Sequence, residues 1–176
     1  SYPSGFSSTI STPTVSPTIT TAYYLTEKIL ATGCSKTDSS QITVNPKPSP
    51  NAGGNQNICF GDSINLGSSA ASGHSYSWTS NPTGFSSTSS KPTVQPILNT
   101  TYYLTDTISA TGCFKIDSAK IMVHPLPSPN AGGNHSICNG NTYTLGTPSI
   151  SGHSYSWTSY PSGFSSTIST PTVSPT

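Results

Sequence analysis

Charge is scarce in this sequence. Its 176 residues include 6 lysines, no arginine and 5 acidic residues, which gives a formal net charge of +1 at pH 7. Proteins that bind nucleic acids or anionic membranes do so through clustered basic residues, whereas these lysines are scattered. We therefore expect no nucleic-acid partner for this chain.

Long apolar runs are also absent. No segment approaches the roughly 20 apolar residues that cross a bilayer, so we expect no membrane span in this sequence. Apolar residues nowhere recur at helical spacing. Short runs of alternating apolar and polar residues, bounded by Gly, Pro, Asn and Ser, are found throughout, and this pattern is typical of an all-β chain.

What the chain does contain is an internal repeat. The stretch PSPNAGGN at 48–55 returns at 127–134, a displacement of 79, and the cysteines, the tryptophans and the Tyr-Tyr-Leu triplets follow the same displacement. Residues 1–18 are identical to residues 159–176, whereas the intervening copy at 80–97 differs. The repeats therefore alternate between two types. A fixed period of this kind indicates a chain built of tandem structural repeats.

The repeat predicts three domains. Residues 1–46 are the rear half of one repeat, 47–125 are a complete repeat, and 126–176 are the front half of the next. Because the sequence begins and ends partway through a repeat, we expect it to be a section of a longer array. A domain as short as one repeat buries only a small core and is marginal unless disulfides, metals or neighbours stabilise it.

Within the complete repeat, turn signals separate several short strands. The predicted strands lie around Ile64, Tyr76–Trp78, Val94, Tyr102–Leu104 and Cys113–His124, with a hairpin turn at Ala110–Gly112. Six or seven short strands in one such repeat predict a tandem array of antiparallel β-sandwiches. The order Cys59, Trp78, Cys113 is similar to that of an immunoglobulin domain. However, Cys113 follows the hairpin turn, so an inter-sheet disulfide packed over the tryptophan is not expected.

These residues carry a family resemblance. The segments NAGGNQNICFGDSINLG, SYSWTS, GFSSTSS, TTYYLT and ATGCFKIDSAKIMVHPLP resemble the immunoglobulin-like and PKD-like repeats of very large Bacteroidota surface proteins, including gliding-motility adhesins and other type IX secretion cargo. The resemblance implies secretion, tandem stacking, an extracellular or cell-surface location, and a role as stalk, filament or adhesin. It names no ligand.

The four cysteines then become candidates for disulfides, because the implied location is oxidising. The favoured interpretation pairs Cys59 with Cys113 within the repeat and leaves Cys34 and Cys138 to pair beyond this sequence. The alternative pairs Cys34 with Cys59 and Cys113 with Cys138. No Cys-x-x-Cys or histidine spacing indicates a zinc site.

The aromatic and acidic residues give little sign of a binding or catalytic site. Trp78 and Trp157 alternate with serines, which favours burial in the core over an exposed platform for sugars. His74 and His153 are interpreted as solvated loop residues. The five acidic residues match no nucleophile–base signature and no calcium loop, so we expect no catalytic residue, no metal site and no cofactor.

Three triplets resemble the Asp-Ser/Thr-apolar acceptor for O-glycosylation in Bacteroidota. They make Ser63, Thr107 and Ser118 candidate glycosylation sites. The alternative is that Asp-Ser and Asp-Thr pairs merely lie near turns. Two N-glycosylation sequons begin at Asn99 and Asn134, but the machinery that reads them is not expected in this context.

Two functions are compatible with the sequence. The first is a non-catalytic structural repeat of a long extracellular filament or adhesin stalk, whose partners are neighbouring repeats of the chain and laterally associated copies. The second is a weak glycan- or cell-binding module that gains avidity by repetition. The alternation of types, such as Asn81 against Tyr160, favours the structural function because identical binding sites would have no reason to alternate. The prolines around Lys47 and Leu126 predict semi-rigid spacers.

Overall fold

The computed structural model describes residues 1–3 and 5–174. The chain divides into two compact units, Ser1–Pro125 and Leu126–Thr176. All regular structure among the described residues is β, as predicted. The strands are β1 (Thr21–Lys28), β2 (Ser35–Ile42), β3 (Gln56–Cys59), β4 (Ile64–Asn65), β5 (His74–Asn81), β6 (Ser86–Ser87), β7 (Thr93–Val94), β8 (Thr100–Ile108), β9 (Phe114–His124), β10 (Tyr143–Thr144), β11 (Trp157–Thr158), β12 (Ser165–Ser166) and β13 (Thr172–Val173).

A five-stranded sheet forms the larger layer of the complete repeat. Its order is β3-β9-β8-β5-β6. The β8–β9 hairpin pairs Thr100 with Ile121 and Thr107 with Phe114, and its turn begins with a bond from the Gly112 N–H to the Ile108 carbonyl, 2.9 Å long. This pairing confirms the predicted hairpin. The hairpin forms because alternating apolar residues bury one face of each strand against the second layer.

The second layer is small. β4 pairs with β7 over two residues each, with Ile64 opposite Val94. Between the layers lies a core of eight buried side chains contributed by both: Ala52, Leu66, Trp78, Val94, Tyr102, Leu104, Ala119 and Ile121. This arrangement is the all-β sandwich that the sequence predicts, with strands of the sheet contributing every second residue to the core.

Trp78 is the centre of this core and is 1% exposed. Its indole N–H donates to the carbonyl of Ser89 at 2.8 Å, so the buried polar atom has a partner. Gly67 lies against the ring with φ +73°, and a Cβ there would collide with the Ser90 carbonyl and lie 3.0 Å from the indole. The tight approach of the backbone to the tryptophan therefore requires glycine at this position.

The strand β3 was not predicted, and it pairs in parallel with β9. Gln56 lies opposite Ile121 and Cys59 opposite His124. The Ala52 N–H is bonded to the side chain of Asp117, so the chain runs along β9 from the level of Asp117 toward the end of the sheet at His124, here called the far end. The opposite end of the sheet, at the β8–β9 turn, is here called the hairpin end. The segment from Ala52 to Cys59 therefore advances from the middle of β9 to the far end, where β9 itself also ends.

The remaining parts of the chain contain partial versions of this fold. Residues 1–46 form the β1–β2 hairpin, which pairs Thr21 with Ile42 and packs Phe6 edge-on against Tyr23 at 5.5 Å. The Leu126–Thr176 unit contains two short antiparallel pairs, β10–β13 and β11–β12. No helix that could span a membrane is found in the described residues.

Candidate functional site

The side of the five-stranded sheet that faces away from the core, here called the outer face, is a continuous surface of the complete repeat. It consists of alternate residues of β3, β5, β8 and β9. Serine and threonine predominate on β5 and β8, and four larger apolar side chains stand among them: Tyr103, Phe114, Ile116 and Met122, which are 39%, 55%, 54% and 40% exposed. In the pairing register Phe114 lies opposite Thr107, and Ile116 lies opposite Thr105.

The corresponding surface of the β1–β2 hairpin is more polar. At the positions equivalent to Phe114, Ile116 and Met122 in the preceding repeat, the chain has serine or threonine: Ser35, Thr37 and Thr43. There the Thr37 hydroxyl is hydrogen bonded to that of Thr26 across the strands, at 2.9 Å. The two types of repeat therefore differ in the apolar character of this surface.

Cys59 and Cys113 lie at opposite ends of the sheet, and no disulfide is formed among the described residues. All four are free in the described structure. Cys59 pairs in register with His124 at the far end, whereas Cys113 immediately precedes Phe114 at the hairpin end. The 11 residues of β9 separate these ends by about 30 Å or more, given a rise of about 3.4 Å per residue.

A disulfide requires Cα atoms within about 7 Å of each other. The predicted bond between Cys59 and Cys113 is therefore incompatible with this fold. Cys59 ends the edge strand β3 and does not face the core. Cys34 and Cys138 are exposed, and their pairing beyond this sequence stays a prediction.

Two acidic side chains of the complete repeat hold backbone segments in place. Asp117 accepts a hydrogen bond from the Ala52 N–H at 2.8 Å, and Asp62 accepts one from the Cys59 N–H at 3.1 Å. No group of three or more metal-ligating residues is present in the described part of the chain. Each of these carboxylates thus fixes a backbone segment, and no nucleophile with an orienting base is seen among the described residues.

His74 is more structured than the sequence predicts. Its Nδ1 lies 2.7 Å from Oδ1 of Asp106, and the side chains are 22% and 7% exposed. The pair joins β5 to β8 near the hairpin end. The solvated-loop interpretation of His74 is therefore wrong, because His74 begins β5 and its ring lies beside the buried carboxylate of Asp106.

The tryptophans do not form a sugar platform. Trp78 is buried, which confirms the core interpretation for the complete repeat. Trp157 is partly exposed and donates from its indole N–H to the carbonyl of Ile168 at 3.0 Å. Tyr76 is partly buried and its hydroxyl accepts a hydrogen bond from the Ala71 N–H at 2.7 Å, so it anchors a loop.

Two grooves mark the partial repeats. One of about 330 Å³ is lined by Ile150, His153 and Trp157 in the Leu126–Thr176 unit, and one of about 610 Å³ is lined by Phe6 and Leu25, among others, in the first unit. In the complete repeat, strands from the other half occupy the matching positions. We therefore interpret both grooves as uncovered core and not as ligand sites.

The three candidate glycosylation hydroxyls lie on the surface. Ser63 is exposed in the turn before β4, and Thr107 and Ser118 both belong to the outer face. Ser118 lies opposite Tyr103 in the register. Their modification stays a prediction. The other type of repeat lacks the equivalent triplets. Asn141 and Glu27 replace the aspartates of the first two triplets, and in the third the pair Ser39-Ser40 leaves no apolar residue after the serine.

The sequence of the complete repeat matches a known family of Ig-like domains. Residues 47–127 match the profile described as "Ig-like domain CHU_C associated". Over this stretch the chain is similar to that family of Ig-like domains. The resemblance inferred from the sequence is confirmed for this stretch, and such Ig-like domains are typical of Bacteroidota surface proteins. No curated protein matches the chain significantly.

The similarity to this family indicates a broad class of function. An Ig-like domain with this association indicates an extracellular structural or adhesin-like module, on an extracellular or surface protein. Ig-like domains of this kind are generally non-catalytic. The geometry of the complete repeat, in which acids and histidine hold the fold together, is consistent with that class.

Proposed function

We propose that this chain is a non-catalytic section of a long extracellular filament or adhesin stalk, made of end-to-end Ig-like repeats and used for surface attachment, motility or capture of other cells. Type IX secretion would export it. The partners of each repeat are then the repeats before and after it in the same chain, as in other arrays whose stability adds unit by unit.

The observation that carries this proposal is the path of the backbone through the complete repeat. The chain comes in beside the middle of β9, at the level of Asp117, and runs parallel to β9 toward the far end, where the last strand leaves. A domain whose entry and exit are separated along its length extends a chain with every repeat, whereas one with adjacent termini would fold the array back.

The linkers favour the same conclusion. Prolines flank Lys47 and Leu126, and proline-rich segments adopt extended polyproline geometry that acts as a semi-rigid spacer. Flexible Gly-Ser tethers would let neighbouring repeats collapse onto each other. The constant repeat period, which has no insertions, also keeps each spacer the same length.

Electron microscopy of the native protein, sheared from cells, tests the proposal. The 11 residues of β9 make each repeat about 37 Å long, so two repeats give an axial period of about 75 Å. Elongated particles with that period are expected. Compact particles without an axial period would contradict a stalk.

A binding module is the second candidate, because the outer face exposes Tyr103 and Phe114 and exposed aromatic rings can stack on sugars. The test is glycan-array binding by the chain and by a Tyr103→Ala, Phe114→Ala variant. Binding that the variant loses would favour this function. Absence of binding by the parent chain would leave the structural function as the better explanation.

A further inference from the structure

We propose that the outer face of the complete repeat is a docking surface for a second copy of this chain. The inference rests on the proposed structural function and adds a lateral contact to it. The occupant is the outer face of a repeat of the same type in the other copy, so that Phe114, Ile116 and Met122 of each copy are covered by the partner sheet.

The area of the face is sufficient for such a contact. Four strands spaced about 4.8 Å apart, with about 8 residues each rising about 3.4 Å, give about 500 Å². Two copies packed face to face would then bury about 1,000 Å², which lies at the lower limit for specific interfaces. A single contact is therefore weak, and repeated contacts along two arrays are required for stable association.

The chemistry of the face also fits association. Lys120 is its one lysine, and no acidic side chain lies on it within the described residues. Protein surfaces that remain monomeric usually carry charges of both signs, which oppose association through desolvation and like-charge repulsion. Here the centre is occupied by threonine hydroxyls and apolar side chains, which another such face can cover.

The alternation of repeat types argues that the partner is a second copy. Apolar residues stand on this surface in the repeat at 47–125 and are replaced by Ser35, Thr37 and Thr43 in the preceding one. A docking surface confined to alternate repeats has a period of two repeats. A partner can cover every such surface only if its own matching surfaces recur at the same spacing. A second copy of this chain has the same sequence and therefore the same spacing.

The first test is the self-association of the chain and of a variant that carries the residues of the other repeat type. Sedimentation equilibrium should show a reversible dimer at high micromolar to millimolar concentration. Phe114→Ser with Ile116→Thr should raise the dimer dissociation constant at least about tenfold, because each side chain loses its burial. The matched control is Ile97→Thr, which replaces a 69% exposed side chain outside the sheet by the counterpart Thr18.

The second test locates the contact. Equal amounts of ¹⁴N- and ¹⁵N-labelled chain are mixed and treated with a lysine-reactive cross-linker. Mixed-isotope links should join Lys120 to Lys120 in preference to Lys91, which lies in a loop away from the face. The converse variant Ser35→Phe with Thr37→Ile should strengthen association, and it serves as a second probe if the first variant folds poorly.

Several outcomes would overturn the proposal. A chain that stays monomeric at millimolar concentration, an unchanged dissociation constant in the double variant, or links at Lys91 as frequent as at Lys120 would each do so. Native protein carrying a glycan on Thr107 or Ser118 would also overturn it, because a sugar there would cover the face. If electron microscopy then showed single elongated stalks, the docking surface would be wrong but the proposed stalk function would stand. Particles without an axial period would contradict the stalk function itself.

Discussion

At the residue scale, Gly67 is the position least able to change. Gly67→Ala places a methyl group against the Ser90 carbonyl and the Trp78 indole at φ +73°, which adds overpacking to backbone strain. We expect the free energy of unfolding to fall by about 2 to 4 kcal/mol, measured by urea denaturation.

Gly73 is the matched control for that substitution. Its φ of +76° is nearly the same, but an added Cβ would have nothing within 4 Å. Gly73→Ala should therefore cost only the backbone strain, about 1 to 2 kcal/mol. Equal losses at the two positions would show that packing against Trp78 contributes nothing.

The buried phenol of Tyr102 makes the stability of the domain depend on pH in alkaline solution. Burial raises the pKa of its phenol above the ordinary value of 10.0, and a hydrogen bond with Thr100 opposes the shift. The unfolded chain therefore releases this proton more readily than the folded chain. Stability that depends on Tyr102 is complete below pH 10 and falls as the pH rises through the raised pKa.

The measurement is the denaturation midpoint as a function of pH. Tyr102→Phe retains the ring that packs edge-on against Phe85 at 5.3 Å and should reduce the loss of stability above pH 10. Tyr103→Phe, which removes a phenol hydroxyl on the outer face, is the matched control for the loss of one hydroxyl group. An identical alkaline decline in all three proteins would count against this assignment.

At the scale of secondary-structure elements, β9 separates the two cysteines of the complete repeat. Because Cys59 and Cys113 lie at its opposite ends, reductant should leave the unfolding midpoint of the chain unchanged, and the variant Cys59→Ser with Cys113→Ser should unfold like the parent. Alkylation before and after reduction, read by mass spectrometry, reports which thiols are free. A midpoint that drops on reduction would show a disulfide that the described fold does not contain.

How much of each element was predictable depends on its burial. The β8–β9 hairpin could be identified because Tyr102, Leu104, Ala119 and Ile121 face one core and so impose a period of two on the sequence. β3 could not, since Gln-Asn-Ile-Cys contributes mainly one apolar side chain, Ile58, at the edge of the sheet. Such an edge strand leaves little periodic signal.

The position of β3 depends on interactions that no periodic pattern encodes. The Lys120 N–H donates to the side chain of Asn55 at 2.9 Å, and Asp117 accepts from the Ala52 N–H. Both bonds join residues 65 apart in sequence. For the same reason the outer face was missed as a site: the sequence shows alternate residues, but the register that groups them across four strands is a property of the fold.

At the scale of the whole molecule, the core is concentrated in one repeat. All eight residues of the buried cluster lie between Ala52 and Ile121. We therefore expect backbone amides in β8 and β9 to exchange with deuterium much more slowly than those of 126–174, where ladders are only two residues long. Hydrogen exchange read by mass spectrometry checks this, and equal protection in both regions would contradict it.

The parallel pairing of β3 with β9 has a mechanical consequence. In the proposed stalk, tension on a complete repeat would enter near Ala52 and leave at His124, so the two strands would be loaded in shear. Their ladder bonds, together with the Asp117–Ala52 and Lys120–Asn55 contacts, lie across the force and must yield together. A pair loaded at one end would unzip bond by bond at low force. The seam that closes each repeat is therefore the part best placed to bear drag.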